Sequence, residues 1–272
     1  MSFKQRIPFV VRCCAAVSAM NFLPATVSAA ILNVTVKVEN LAPANSVSFA
    51  PLHVGFHNGT FDSFDSGQAA TAPIVSVAEG GSGSAWFPAF AAADPGAGLG
   101  TVMGALFPGT SAMNTFMVDT NVNPFFSFAT MVIPSNDFFL GNDSPTQYRL
   151  FDAGGNLLIS SIDQSASQIW DAGSEAFDPA HAAFVVGGNN DLRTPQNGVV
   201  SFGFAELSGF NGFSTAAGYV FDSQLTSSTP VYRISFTTAP VPEPSSFVLG
   251  GVGFAGIATF RFMQRRRRPK SE

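Results

Sequence analysis

Alternation of apolar and polar residues predicts strands near both ends of the central part of the chain. Ile31 to Val38 reads ILNVTVKV and Val231 to Thr237 reads VYRISFT, and in both the apolar residues recur at every second position. This is the period of a half-buried strand. Phe125 to Ile133 is a nearly continuous apolar run, which is typical of a strand buried on both faces. Val47 to Phe56 and Val199 to Phe204 are two further strand candidates.

Turn residues separate these segments at short intervals. The Asp152-Ala-Gly-Gly-Asn156 turn lies between Tyr148 to Phe151 and Leu157 to Ile162, and this order predicts a hairpin. The sequence shows no long amphipathic helix and no internal repeat. Many short strands divided by Gly, Asn and Pro predict an all-β fold, an antiparallel β-sandwich with long loops, over residues 31–238.

The segment from Ala69 to Met113 differs in composition, because it is rich in Ala, Gly, Ser and Pro. Trp86 and Phe90 lie within it, and residues of this kind are depleted in disordered segments. We therefore predict long loops over the sandwich, with a short helix near residues 100–107, rather than a disordered linker.

Residues 1–30 have the pattern of a secretory signal peptide. Basic residues come first, a largely apolar run from Cys13 to Leu23 follows, and Val27-Ser28-Ala29 offers a cleavage site. The alternative is a first transmembrane helix, but the apolar run is short and is broken by Asn21 and Pro24. Both cysteines of the chain lie in this segment, so the mature protein is expected to have no thiol chemistry.

The C-terminal end changes character again. A Pro-rich linker, 239–246, contains Pro242, Glu243 and Pro244; an apolar run predicts a transmembrane helix over 247–263, and 264–272 form a basic cytoplasmic tail. This order resembles the PEP-CTERM sorting signal of Gram-negative bacteria that make extracellular polysaccharide. The resemblance implies recognition by an exosortase-type enzyme. The protein would be exported through the inner membrane, anchored there transiently by the helix, and moved to the cell surface or extracellular matrix. The alternative is a plain membrane anchor.

The net charge of the central domain restricts the kinds of partner that it can bind. Residues 31–240 carry four basic and sixteen acidic groups, a net charge of −12 against −5 for the full chain. A domain this acidic repels nucleic acid, so nucleic-acid binding is excluded. Acidic loops suit hard cations such as calcium, although a solvated acidic surface explains most of these groups equally well.

Four short motifs in order along the chain resemble the spondin N-terminal domain family, and two weaker matches precede them. The motifs are Phe128 to Asp137, Gly141 to Asp143, Leu150 to Gly155 and Asp171 to Glu175, and the weaker matches are His57 to Asp62 and Ala78 to Gly80. Together they cover most of residues 31–238. The resemblance implies a β-sandwich with a calcium site at one end. The animal domains carry cysteines, which this domain lacks.

The resemblance places one calcium ion on Asp137, Asp171 and Glu175. The last acid is Asp in the animal domains, and Glu175 is one methylene longer. Calcium takes six to eight oxygen ligands, which loops rich in Asp, Asn and Gly can supply. The alternative is that these acids cap turns by accepting hydrogen bonds from backbone amides.

These observations favour a non-enzymatic binding or adhesion module whose ligand is a polysaccharide or a surface protein. The sequence has no G-x-S-x-G, no H-E-x-x-H and, after signal removal, no cysteine nucleophile. His53 and His57 do not form a predicted zinc pair, because four residues of a strand span about 13 Å. Two alternatives stay open: an enzyme that hydrolyses glycosides or otherwise modifies exopolysaccharide, and a structural matrix protein without metal.

Overall fold

The computed structural model describes residues 31–241, which form two antiparallel sheets packed face to face. The predicted all-β, sandwich-like fold is thereby confirmed. The strands are β1 (Ile31–Asn40), β2 (Ser48–Phe49), β3 (Leu52–His57), β4 (Gly98–Val102), β5 (Ser111–Asp119), β6 (Phe125–Ile133), β7 (Phe138–Gly141), β8 (Tyr148–Arg149), β9 (Ser161–Ser165), β10 (Trp170–Asp171), β11 (Ser201–Phe202) and β12 (Pro230–Pro240). The helices are α1 (Ala72–Gly80) and α2 (Trp86–Ala93), with 3₁₀ turns at Ala166–Gln168, Asn190–Leu192 and Phe204–Phe210.

The smaller sheet has the strand order β5-β1-β12-β9. Its two central strands are the two alternating segments of the sequence, and they pair in register with Val36 opposite Phe236. Val34, Val36 and Val38 are buried, while the residues between them are partly exposed, because one face of the sheet packs on the core and the other meets solvent.

The larger sheet has the order β11-β10-β7-β6-β3-β4, and β2 and β8 also pair with β6. Strand β6 has the bounds predicted from its apolar run. Phe126 and Phe128 point into the core between the sheets, whereas Ala129 packs in a second cluster on the outer face. A strand covered on both faces explains why its sequence does not alternate.

Helices α1 and α2 contribute to this second cluster, in which Trp86 and Phe90 are fully buried. The prediction of long loops with a helix near 100–107 is therefore wrong, because that stretch contains β4 and a turn. The local signals for α1 were present: the Thr71 hydroxyl accepts a hydrogen bond from the Ile74 amide, and Gly81 ends the helix with a φ of 62°.

The predicted hairpin around Asp152 to Asn156 is wrong in its strands. The turn forms, and Phe151 and Leu157 make a single bridge across it. However, β8 joins the larger sheet and β9 joins the smaller one, so the chain crosses from one layer to the other here. Two strand candidates are also shorter than predicted: Val47 to Phe56 divides into β2 and β3, and β11 has two residues.

Several predictions lie outside the described residues. These are the signal peptide (1–30), the transmembrane helix (247–263), the basic tail (264–272) and the part of the linker that holds Pro242, Glu243 and Pro244. Between residues 31 and 241, no helix has both the length and the apolar character needed to cross a bilayer.

Candidate functional site

Asp137 lies in the short connection between β6 and β7, where it is buried. Its Oδ2 accepts three hydrogen bonds: from the backbone amides of Ser174 at 2.8 Å and Glu175 at 2.9 Å, and from the Ser174 hydroxyl at 3.1 Å. Burial raises the pKa of Asp137, and these hydrogen bonds oppose the rise. The carboxylate thus ties the loop after β10 to the end of β6, as a loop-capping acid does.

Asp171 is the last residue of β10 and is 7 % exposed. Its Oδ1 accepts a hydrogen bond from the Gly173 amide at 2.6 Å. Gly173 has a φ of 65°, and a Cβ there would lie 2.7 Å from the Val199 nitrogen, so the turn requires glycine. Burial, followed by the negative charge of Asp137, raises the pKa of Asp171 to about 6.

Glu175 forms an ion pair with Arg193, which lies in another part of the chain. The Arg193 Nη1 donates to Glu175 Oε2 at 2.7 Å, and the Arg193 side chain is 2 % exposed. The same guanidinium donates to the backbone oxygens of Asn136 at 3.2 Å and His181 at 3.0 Å. The Glu175 carboxylate therefore belongs to a partly buried ion pair.

The three predicted calcium ligands do not converge as one set. Asp137 interacts through its charge with both Asp171 and Glu175, but Glu175 pairs with Arg193, whose positive charge also acts on Asp137 and disfavours a cation nearby. In residues 31–241, no group of three or more His, Cys, Asp or Glu side chains is arranged to hold a metal ion. Asp137 Oδ1 and Asp171 Oδ2 have no hydrogen-bond partner in that part of the chain, so the pair fits a cation better than the full set of three does.

Sequence reasoning missed two charged residues of this region. Arg193 balances Glu175, and Glu206 adds negative charge that contributes to the raised pKa of Asp171. Arg193 could have been noticed, since residues 31–240 contain only four basic groups and one of them lies in an Asn- and Asp-rich loop. Nothing in the local pattern around Glu206 marks it.

The two histidines of β3 are buried and hydrogen-bonded. His53 Nε2 lies 3.0 Å from the Gly81 oxygen, and His57 Nε2 lies 3.0 Å from the Ser127 hydroxyl. Burial lowers the pKa of His57 to about 4, so its imidazole is neutral at physiological pH.

Comparison with known families finds the PEP-CTERM protein-sorting motif at residues 240–267, a match that includes Pro242, Glu243 and Pro244. This match supports an exported protein that an exosortase-type enzyme recognises and sorts to the cell surface or beyond. No spondin-domain family matches the chain, so the spondin resemblance rests on its short motifs alone. The chain has no match among curated proteins.

Proposed function

We propose that this chain is an exosortase-sorted surface or matrix protein whose β-sandwich serves as a non-catalytic binding or adhesion module. The observation that carries the proposal is the sorting motif, which begins at residue 240, where β12 ends. No further folded segment separates the sandwich from the motif, so the sandwich is the part of the protein that sorting delivers.

Binding is favoured over glycoside hydrolysis by the position of the acid pair. A glycosidase needs two carboxyl groups that flank the scissile bond from an accessible cleft. Asp137 and Asp171 are 2 % and 7 % exposed. An acid pair this buried does not line an accessible cleft of the kind that a glycosidase needs.

Stabilisation by calcium is the second part of the proposal, with Asp137 and Asp171 as the protein carboxylates. Each is buried and each keeps one oxygen without a hydrogen bond in the described chain. Burial, followed by the negative charge of Asp137, raises the pKa of Asp171, and a bound cation would oppose both effects. Glu175 is not part of this reduced set, because it pairs with Arg193. The role of the ion would be to join the two loops.

The sorting proposal is tested by Glu243→Gln in a host that carries an exosortase, with cell fractionation as the measurement. The unmodified protein is expected in the surface and extracellular fractions, and the variant is expected to accumulate in the membrane fraction. Glu272→Gln is the matched control, because this acid lies in the same tail but beyond the matched residues. Equal distribution of Glu243→Gln and the unmodified protein would refute the proposal.

A further inference from the structure

An open cleft of about 370 Å³ lies beside β10 and β11, within the size range of small-ligand sites. It is lined by two aromatic rings, three amide side chains and one carboxylate. These are Trp170, Phe202, Gln147, Gln164, Gln168 and Asp143.

The aromatic side of the cleft is a rigid stack. The rings of Trp170 and Phe202 lie 3.9 Å apart at an interplanar angle of 22°. Trp170 is fixed from behind, since its indole nitrogen donates to the Gly141 oxygen at 3.2 Å and its ring contacts Phe64 edge-on. Phe202 is 57 % exposed, so a large apolar ring is held in place at the surface. Such a ring offers a flat partner for the C–H face of a ligand.

The polar side chains are fixed at one end and free at the other. Gln147 and Gln164 each donate through Nε2 to the Tyr148 hydroxyl, at 3.0 and 3.3 Å, which leaves both Oε1 atoms as acceptors. Gln168 accepts the Ser165 amide on Oε1 at 2.9 Å, which leaves its Nε2 as a donor. These free atoms have no hydrogen-bond partner within residues 31–241. Side chains that are held in this way lose little entropy when they bind a ligand.

The fourth polar group, Asp143, is fixed in the same manner. Its Oδ1 accepts the Ser66 amide at 2.9 Å, and its Oδ2 has no partner in the described chain. None of the residues that line the cleft is basic. An anionic ligand would therefore meet a carboxylate without a compensating cation, and a purely apolar ligand would leave the amides unpaired.

We propose that this cleft binds a neutral carbohydrate. One face of a pyranose ring packs its C–H groups on Phe202, and the ring hydroxyls pair with the two free Oε1 acceptors, the Gln168 donor and the Asp143 carboxylate. A neutral sugar is the ligand class that offers both an apolar C–H face and a set of uncharged hydroxyl groups. The inference rests on the proposed binding function and supplies its ligand class, but it does not depend on how the tail is sorted.

The test is titration of the purified full-length chain with neutral trisaccharides built from glucose, galactose or mannose, monitored by calorimetry and tryptophan fluorescence. At least one of them is expected to bind at millimolar concentration or below and to change the emission of Trp170. Phe202→Ala is expected to weaken binding about tenfold, and Gln147→Ala, which alters an exposed side chain, about threefold. Leu158→Ala is the matched control, since Leu158 is 56 % exposed and does not line the cleft.

Absence of binding by all the neutral sugars, or equal binding by Phe202→Ala and the unmodified chain, would overturn the proposal. Displacement of the sugar by an aromatic peptide with greater affinity would overturn it as well, because a peptide would then be the better ligand. Failure here leaves the fractionation result of Glu243→Gln unchanged. Failure of sorting, in turn, leaves the titration of purified protein unchanged, so the two proposals fail separately.

Discussion

Arg193 Nη1 lies 2.7 Å from Glu175 Oε2, and the two side chains are 2 % and 14 % exposed. The pair joins the loop after β10 to the loop that contains the Asn190–Leu192 turn. Removal of one partner would leave the other charge buried and unpaired, and this costs more free energy than the loss of an exposed ion pair.

Glu175→Gln is therefore expected to lower the free energy of unfolding by about 3 kcal/mol in the presence of a chelator, as measured by urea titration. Asp163→Asn is the matched control, because it breaks the exposed pair with Arg233 and should leave stability nearly unchanged. The opposite pattern, in which Glu175→Gln is as stable as the parent but no longer responds to calcium, would show that Glu175 is a ligand as the spondin resemblance implies.

Asp171→Asn is expected to abolish stabilisation by calcium without destabilising the calcium-free protein. Millimolar calcium should raise the melting temperature of the parent by about 5 °C, because an ion that binds only the folded state stabilises it. The variant should show no such rise. In chelator the variant should be at least as stable as the parent, since it removes the repulsion between Asp171 and Asp137. An unchanged melting temperature of the parent in calcium would leave the two acids as loop caps.

Acidification in chelator should affect the parent and Asp171→Asn differently. The pKa of Asp171 is raised to about 6 in the folded state, so its contribution is favourable at low pH and is lost as pH rises through 6. When the pH is lowered from 7.5 to 4, the free energy of unfolding of the parent should rise by on the order of 2 kcal/mol relative to that of the variant. Urea titrations at the two pH values measure this difference, and equal pH dependence of both proteins would contradict it.

His57 acts in the opposite direction over nearly the same pH range. Its folded-state pKa of about 4 lies below the ordinary value of 6.5, so the stability that it contributes above pH 6.5 is lost as pH falls toward 4. In the parent the two groups partly cancel. In Asp171→Asn the effect of His57 is no longer offset, so the variant should lose stability steeply on acidification.

Gly173→Ala is expected to be among the most damaging small substitutions. Alanine would have to adopt a φ of 65°, and its Cβ would lie 2.7 Å from the Val199 nitrogen. The loop after β10, whose amides donate to Asp137 and Asp171, must therefore move. We expect a loss of about 3 kcal/mol in urea titration. Gly212→Ala measures the cost of the positive φ alone, because Gly212 has a φ of 89° and an added Cβ there would have no atom within 4 Å. Equal losses at the two positions would mean that the contact with Val199 is unimportant.

The strands that could be predicted from the sequence are those with a local signature. β1 and β12 alternate, and β6 is a nearly continuous apolar run, so their periods alone identify them. Helix α2 was missed because its own sequence, WFPAFAAA, is apolar throughout and has no polar face to reveal its period. Composition suggested loops, whereas packing against the outer face of the larger sheet makes this segment helical.

The site was predictable only in part, for a related reason. Asp137 and Asp171 come together because β7 and β10 pair. The position of Asp137 just after the apolar run of β6 was visible in the sequence, whereas β10 was not. The pairing of Glu175 with Arg193 could not be predicted from the sequence, because 17 residues lie between them and only the tertiary fold brings them together. Likewise, the stack of Trp170 on Phe202 arises from the pairing of β10 with β11. β11 lies inside the predicted strand Val199 to Phe204, but β10 has only two residues and no local signature in the sequence.

The length of β12 sets the distance between the cleft and the start of the sorting motif. At one end of this strand Pro240 pairs with Leu32, so the start of the sandwich and the point of departure of its tail lie side by side. Toward the other end Tyr232 pairs with Gln164, one of the amides of the cleft. Tyr232 and Pro240 are eight residue steps apart along the strand, a distance of about 27 Å. In a sandwich held by its tail, β12 thus places this length of strand between the cleft and the first residue of the sorting motif.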